Sequence, residues 1–210
     1  MNPRSPTRIG SSGASRLLAA ATLLSLLAAC TPPVPPPHLY VLSPMVPVAA
    51  GEHPTANLPI VMVALTQVPD FLDRPQLIER TSDTGLKLVE TDQWAERLST
   101  NISRVVAQNL SAMVPADASI PLPVRGALPY KFQVVISLNN LELAETGEVL
   151  LAGRWSITDA DGAKELAARN VALREKAASP GIPAAVDAMS HALGEVSRDI
   201  ADQIKRLNAQ

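Results

Sequence analysis

The chain has 210 residues, 18 Lys+Arg against 20 Asp+Glu for a net charge of −2, 47% apolar side chains, 3% aromatics and one cysteine. That length fits one or two domains, and a lone thiol excludes an internal disulfide framework, a zinc site built on several cysteines and a CxxC redox pair. Near-neutral charge with few rings argues against nucleic acid as a partner, because phosphate backbones need clustered Lys and Arg and single strands need exposed rings to stack on.

Residues 1–29 read as an export signal rather than as fold. Arg4, Arg8 and Arg16 give a positive opening without an acid, and a leucine- and alanine-rich uncharged run extends from Leu17 to Ala29. The run is shorter than the about 20 residues of a membrane-spanning helix and suits the apolar region of a signal peptide. It ends in Leu27-Ala28-Ala29-Cys30, which resembles the lipobox of bacterial lipoproteins, where small residues admit the chain to a peptidase and the next residue must be a thiol. The alternative is a plain secretory signal followed by an incidental cysteine. The resemblance implies a diacylglyceryl thioether on Cys30, cleavage before it and acylation of the exposed amine. Two or more acyl chains, at about 0.8 kcal/mol per buried CH2, anchor stably. Cys30 is thus the expected lipid attachment site. Thr31 follows it, not the Asp associated with inner-membrane retention, which implies the outer membrane and its periplasmic face. Losing Arg4, Arg8 and Arg16 with the signal moves the net charge from −2 to −5, so the mature chain carries no polybasic patch for anionic headgroups.

Residues 30–38 read as the lipidated cysteine and a proline-rich tether. Thr31 to Pro37 favours extended polyproline II, about 3.1 Å per residue and so roughly 20 Å long. Residues 39–210 read as a single periplasmic domain. Leu39 to Leu42 is a first, edge strand among the prolines. His38 and His53, without a third ligand, are bystanders rather than a metal pair. Ile60 to Leu65, apolar on both faces, is a strand covered on both sides. Val68 to Pro75 follows, where two prolines and two aspartates around Phe71 and Leu72 make a tight, ordered turn. Gln76 to Thr81 and Leu86 to Glu90 form a hairpin across Ser82 to Gly85.

The spacing predicts a helix over Thr91 to Met113, capped by Thr91 or Asp92, with Trp94, Leu98, Ile102, Val105, Val106, Leu110 and Met113 as its apolar stripe. Pro115 to Pro129 is turn-rich. Tyr130 to Leu143, Glu148 to Thr158 and Lys164 to Lys176 alternate in character and form an antiparallel meander, with Asp159 to Gly162 as turn chemistry rather than a calcium loop. Ile182, Val186, Met189, Leu193, Val196, Ile200, Ile204 and Leu207 step along a final helix whose stripe suits the dry face of the sheet, with His191 on the surface. The fold class expected is α/β: one domain, a mostly antiparallel sheet packed against two long helices. No serine-nucleophile elbow, phosphate loop, dinucleotide fingerprint or His-Glu-x-x-His occurs in the mature chain, and the pattern reads as a non-enzyme without metal or cofactor.

Val68-Pro69-Asp70-Phe71-Leu72-Asp73-Arg74-Pro75-Gln76-Leu77, then Trp94-Ala95-Glu96 and Ile102-Ser103-Arg104-Val105, resemble the ABC-type transport auxiliary lipoprotein family, the PqiC-like paraquat-inducible lipoproteins. Tyr40 to Leu42 and the strand and turn from Arg154 to Gly162 extend the likeness. One departure is Arg97, where relatives often carry Pro. The resemblance implies an α/β domain, an Mce-domain periplasmic partner in an intermembrane lipid transport system that supports envelope integrity, and a homo-oligomeric ring. Two functions remain open. In the first the domain docks the lipid conduit to the outer membrane, with Asp70, Phe71, Leu72, Asp73, Arg74 and Pro75 as either partner contact or a turn fixed by a buried Arg74–carboxylate contact. In the second it is a lipid-binding carrier whose helices and sheet enclose a ligand.

Overall fold

Residues 35–45, 60–114, 118–121 and 129–209 are described by the structure, a computed structural model. Cys30, His53 and most of the turn-rich stretch after Pro115 lie outside them. The strands are β1 (His38–Tyr40), β2 (Ile60–Val63), β3 (Gln76–Arg80), β4 (Leu86–Trp94), β5 (Ala118–Pro121), β6 (Phe132–Ala144), β7 (Glu148–Thr158) and β8 (Glu165–Lys176). The helices are α1 (Leu98–Met113) and α2 (Ile182–Asn208). Residues 37–210 form one compact unit.

Strand β6 is the spine of an eight-stranded sheet. On one side it pairs antiparallel with β7, with Val134 opposite Ile157 and Ile136 opposite Trp155, and β8 continues beyond β7. On the other side β2 lies parallel to its start and β3 parallel to its end. Beyond β2 lies β5, and beyond β3 come β4 and then β1. The meander β6 to β8 and the hairpin β3 to β4 are antiparallel as expected, but the pairs β1–β4, β2–β5, β2–β6 and β3–β6 are parallel. The sheet is therefore mixed, not mostly antiparallel. Alternation reveals each strand and its hairpin neighbour; it carries no signal for a parallel partner distant in the chain. The expectation of two long helices holds for α2, with 27 residues, and less for α1, with 16.

That shortening has a local cause. Thr91 to Trp94 belongs to β4, not to a helix: the Trp94 N–H donates to the Pro75 carbonyl at 2.7 Å, the Ala95 N–H to the Tyr40 carbonyl at 2.9 Å, and Asp92 sits opposite His38. Trp94 precedes Leu98 by four residues, so a strand side chain that reaches the core also falls on the helical period. Ladder bonds on both sides decide for strand.

The apolar stripes close one core. Leu98, Ile102, Val105, Val106 and Leu110 of α1 are at most 1% exposed, and Val186, Met189, Leu193, Val196, Ile200 and Ile204 of α2 at most 5%. Helix α2 lies over β7 and β8, α1 over β2 and β5, and the two helices pack on each other. Trp155 fills the centre, its indole N–H donating to Asp199 at 3.1 Å, while Arg169 pairs with Asp199 and lies 5.9 Å from the Trp155 ring. Trp94 is also core, 6% exposed.

A β-bulge after Leu138 reverses the alternation of β6. Phe132, Val134, Ile136 and Leu138 face the helices before it, and Leu141 and Leu143 after it; Asn140 and Glu142 turn to the opposite face, where buried Glu142 pairs with Arg80. Opposite the bulge, Gly153 has no room for a side chain: an added Cβ would stand 2.2 Å from the Ser137 carbonyl oxygen and 2.7 Å from the Leu138 Cα. Backbone cannot yield as a flexible side chain can. Gly153→Ala is expected to lower stability by about 1–3 kcal/mol or more, read by thermal or urea denaturation; an unchanged midpoint would contradict the close approach.

Candidate functional site

The first described segment is joined to the fold through β1 and the residues that follow it. Strand β1 adds to β4 in parallel register, His38 to Asp92, Leu39 to Gln93 and Tyr40 to Trp94. Asp92, 8% exposed, accepts hydrogen bonds from the Tyr40 hydroxyl at 2.8 Å and the Thr91 hydroxyl at 2.7 Å, with His38 Nδ1 3.4 Å away. Burial alone pushes its carboxyl up, but the Thr91, Tyr40 and His38 donors outweigh it and hold the group below the usual carboxylate value. The Tyr40 hydroxyl is pushed up, first by burial and then by the carboxylate it donates to.

After β1 the chain runs as a strap against both helices. The Leu42 N–H donates to Asn101 Oδ1 at 3.3 Å, the Ser43 N–H to Ser190 Oγ at 3.1 Å and the Met45 N–H to Asn109 Oδ1 at 2.8 Å. Asn109, fully buried, also donates from Nδ2 to Ser197 Oγ at 3.1 Å. Gly194 lets the strap lie close, since a Cβ there would meet the Met45 side chain at 2.3 Å. Three extended backbone N–H groups thus find side-chain acceptors from two helices, and Leu42 is buried at 1%. Sequence reasoning assigned Asn101, Asn109, Ser190, Ser197 and Gly194 no role. The available signal was polar and small residues at core-facing helical positions, which require partners.

The second feature is the turn before β3. Its backbone closes through the Leu72 N–H on the Pro69 carbonyl at 2.9 Å and the Asp73 N–H on the same oxygen at 3.2 Å. Leu72 is buried at 1%, while Phe71 is 36% exposed and Asp70 and Pro75 are exposed. The expected alternative for this turn was a buried Arg74–carboxylate contact. The structure assigns the fixing contact to Asp73: Oδ1 accepts the Ser99 N–H at 3.0 Å, and Oδ2 accepts Arg97 Nε at 3.0 Å and the Ser99 hydroxyl at 3.1 Å. A carboxylate from the turn therefore caps α1, the task expected of Thr91 or Asp92. Arg97 supplies its ion pair.

Burial by itself pushes the Asp73 carboxyl up, yet the Ser99 N–H, Arg97 and the Ser99 hydroxyl together bring it below its ordinary value of 3.8. For a carboxylate lowered in the folded state, stabilisation is complete above the unfolded value and is lost as pH falls through the folded one. Asp73→Asn and Asp92→Asn are each expected to lower stability at pH 7 and to flatten its decline below about pH 4, measured by urea denaturation across that range. A variant whose acid slope matches the unmodified protein would contradict the assignment. The Asp73 part is discounted because Arg97 is largely solvated, its side chain 75% exposed.

Asp73, Arg74, Pro75, Trp94, Ala95, Glu96 and Arg97 line a cavity of about 220 Å³ beside this turn. The cavity adjoins β1, because the Trp94 N–H bonds to the Pro75 carbonyl and the Ala95 N–H to the Tyr40 carbonyl. His191, half-exposed, lies near Glu175 and Glu195 on the surface. Among the described residues no three His, Cys, Asp or Glu side chains are grouped to hold a metal, and no helix is long and apolar enough to cross a membrane.

Residues 40–201 match the family described as the ABC-type transport auxiliary lipoprotein component. No curated protein matches the chain. Its fold is similar to that of an uncharacterized protein of known structure, at 19% identity and TM-score 0.67, covering 81% of this chain and 99% of the other. It is also similar to a Xanthomonas campestris protein of the family DUF330, at 15% identity and TM-score 0.58, covering 77% and 91% respectively.

Proposed function

The chain belongs to the ABC-type transport auxiliary lipoprotein component family, and from that membership we propose that it is the outer-membrane docking subunit of an Mce-type intermembrane lipid transport system. Acyl chains on Cys30 hold it to the periplasmic face of that membrane, residues 31–37 space the domain from the surface, and copies of the domain grip the end of the periplasmic Mce-domain conduit. The observation that carries this reading is the clasp and strap at His38 to Met45: a junction bonded to both helices and to β4 suits a domain that transmits load between a lipid anchor and a partner. The family serves transport as an auxiliary component.

The carrier alternative needs the apolar faces of helices and sheet to enclose a lipid. Those faces instead fill one another, with Ile102, Val105, Leu193 and Ile200 against Val134, Ile136, Leu151 and Ile157, all at most 1% exposed. The packing supports docking over carriage. In the deciding experiment, the full-length lipidated protein in liposomes is incubated with the purified Mce-domain protein from the same organism. Docking predicts saturable association and, for the detergent-purified protein without added lipid, no bound phospholipid in native mass spectrometry. Absence of association together with bound phospholipid would overturn it in favour of the carrier.

A further inference from the structure

The turn between β2 and β3 carries a cation, Arg74, with no ion-pair partner among the described residues. Asp73 pairs with Arg97 and Glu96 with Arg104, while Arg74 pairs with no carboxylate among the described residues. Its Nε is buried and has no hydrogen-bond acceptor. A shielded guanidinium N–H without an acceptor loses free energy that an incoming acceptor restores. Arg74 also lines the cavity of about 220 Å³ whose apolar walls are Pro75, Ala95 and Trp94. We propose that this cavity is a binding site for a carboxylate side chain, Asp or Glu, of the periplasmic partner protein, a proposal that rests on the docking reading above.

Three observations select a protein carboxylate. A guanidinium presents a planar fork that matches a carboxylate with two parallel hydrogen bonds. Asp73, Glu96 and Arg97 also line the cavity, with Asp73 paired to Arg97 and Glu96 to Arg104, so the lining offers one unpaired cation, Arg74, which matches the single charge of a carboxylate rather than the double charge of a phosphate. The volume suits one acidic side chain, and Phe71 and Pro75, exposed on the same turn, give it an apolar rim such as protein interfaces place around a charged anchor.

The test uses full-length lipidated protein in liposomes and the purified Mce-domain protein. Arg74→Glu is expected to weaken association by about tenfold or more, and Arg74→Gln, which keeps the stem and removes the charge, by somewhat less. An Asp or Glu→Arg change on the partner is expected to restore binding to Arg74→Glu alone. Thermal midpoints of both variants, matched to the unmodified protein, separate lost binding from lost fold. If the unmodified protein binds the partner and both variants bind equally well, the Arg74 site is overturned and docking stands. If the unmodified protein does not bind, docking falls and this proposal with it. Binding of the detergent-solubilised protein to vesicles of phosphatidylglycerol and phosphatidylethanolamine forms a separate arm. A loss there for Arg74→Glu, with partner binding intact, would overturn the protein carboxylate in favour of a lipid headgroup.

Discussion

Cys30→Ala is expected to abolish acylation and to remove the protein from the outer membrane while leaving the domain folded. Acyl anchoring is additive: each buried CH2 contributes about 0.8 kcal/mol, and a single chain binds reversibly where two or more hold stably. The mature chain expected after cleavage has a net charge of −5, without Arg4, Arg8 and Arg16, and so offers no basic surplus to hold anionic headgroups in place of acyl chains. The domain is expected to stay folded because β1 and the strap bond His38 to Met45 to β4 and both helices by contacts made within residues 38–197. The measurement is intact mass of the residue-30 peptide together with membrane fractionation and a melting curve. Acyl mass on the variant, or its persistence in the outer-membrane fraction, would refute the anchor. A collapsed melting curve would refute the independence of tether and fold.

Local periodicity made the meander, the hairpin and α2 legible, because in each the hydrophobic alternation is complete within one segment and needs no distant information. Strand β5 was not legible. Ala118 to Pro121 is short and falls among turn residues, and only its parallel pairing with β2 makes it a strand. Helix α1 was legible in its stripe and not in its start. Trp94 satisfies the period of four, and the residue that caps the helix, Asp73, is 26 positions upstream of the Ser99 it bonds. The turn from Asp70 to Pro75 was recognised as ordered from its prolines and aspartates, but the division of labour within it needed coordinates. Asp73 fixes the turn and Arg74 does not, a difference between adjacent charged residues that no spacing rule expresses. The strap was illegible for a related reason: Asn101, Asn109, Ser190 and Ser197 read as interruptions of two apolar faces, and their meaning depends on a third segment lying between them.

Asn109→Ala is expected to destabilise the domain by about 2–4 kcal/mol, the largest effect of any polar-to-alanine substitution here. The side chain is fully buried and works in both directions, its Oδ1 accepting the Met45 N–H at 2.8 Å and its Nδ2 donating to Ser197 Oγ at 3.1 Å. Truncation therefore leaves a strap donor and an interhelical acceptor unsatisfied and opens a void where α1 meets α2. Asn109→Asp keeps an acceptor for Met45 but lacks the donor to Ser197 and buries a carboxylate with no cation beside it, so it is expected to destabilise at pH 7 at least as much as Asn109→Ala. Hydrogen exchange locates the effect, with the Met45, Ser43 and Leu42 amides exchanging faster in Asn109→Ala while the amides of β6 and β7 slow or quicken only with global stability. Cys30 is untouched, so the variant is expected to stay in the membrane and to be cut by protease within the strap from Val41 to Met45. Transport activity lost with the anchor in place would trace the defect to the junction. Unchanged melting and unchanged exchange at Met45 would mean that the strap rests on the helices without holding, and that load passes through the β1 ladder and the Asp92 clasp alone.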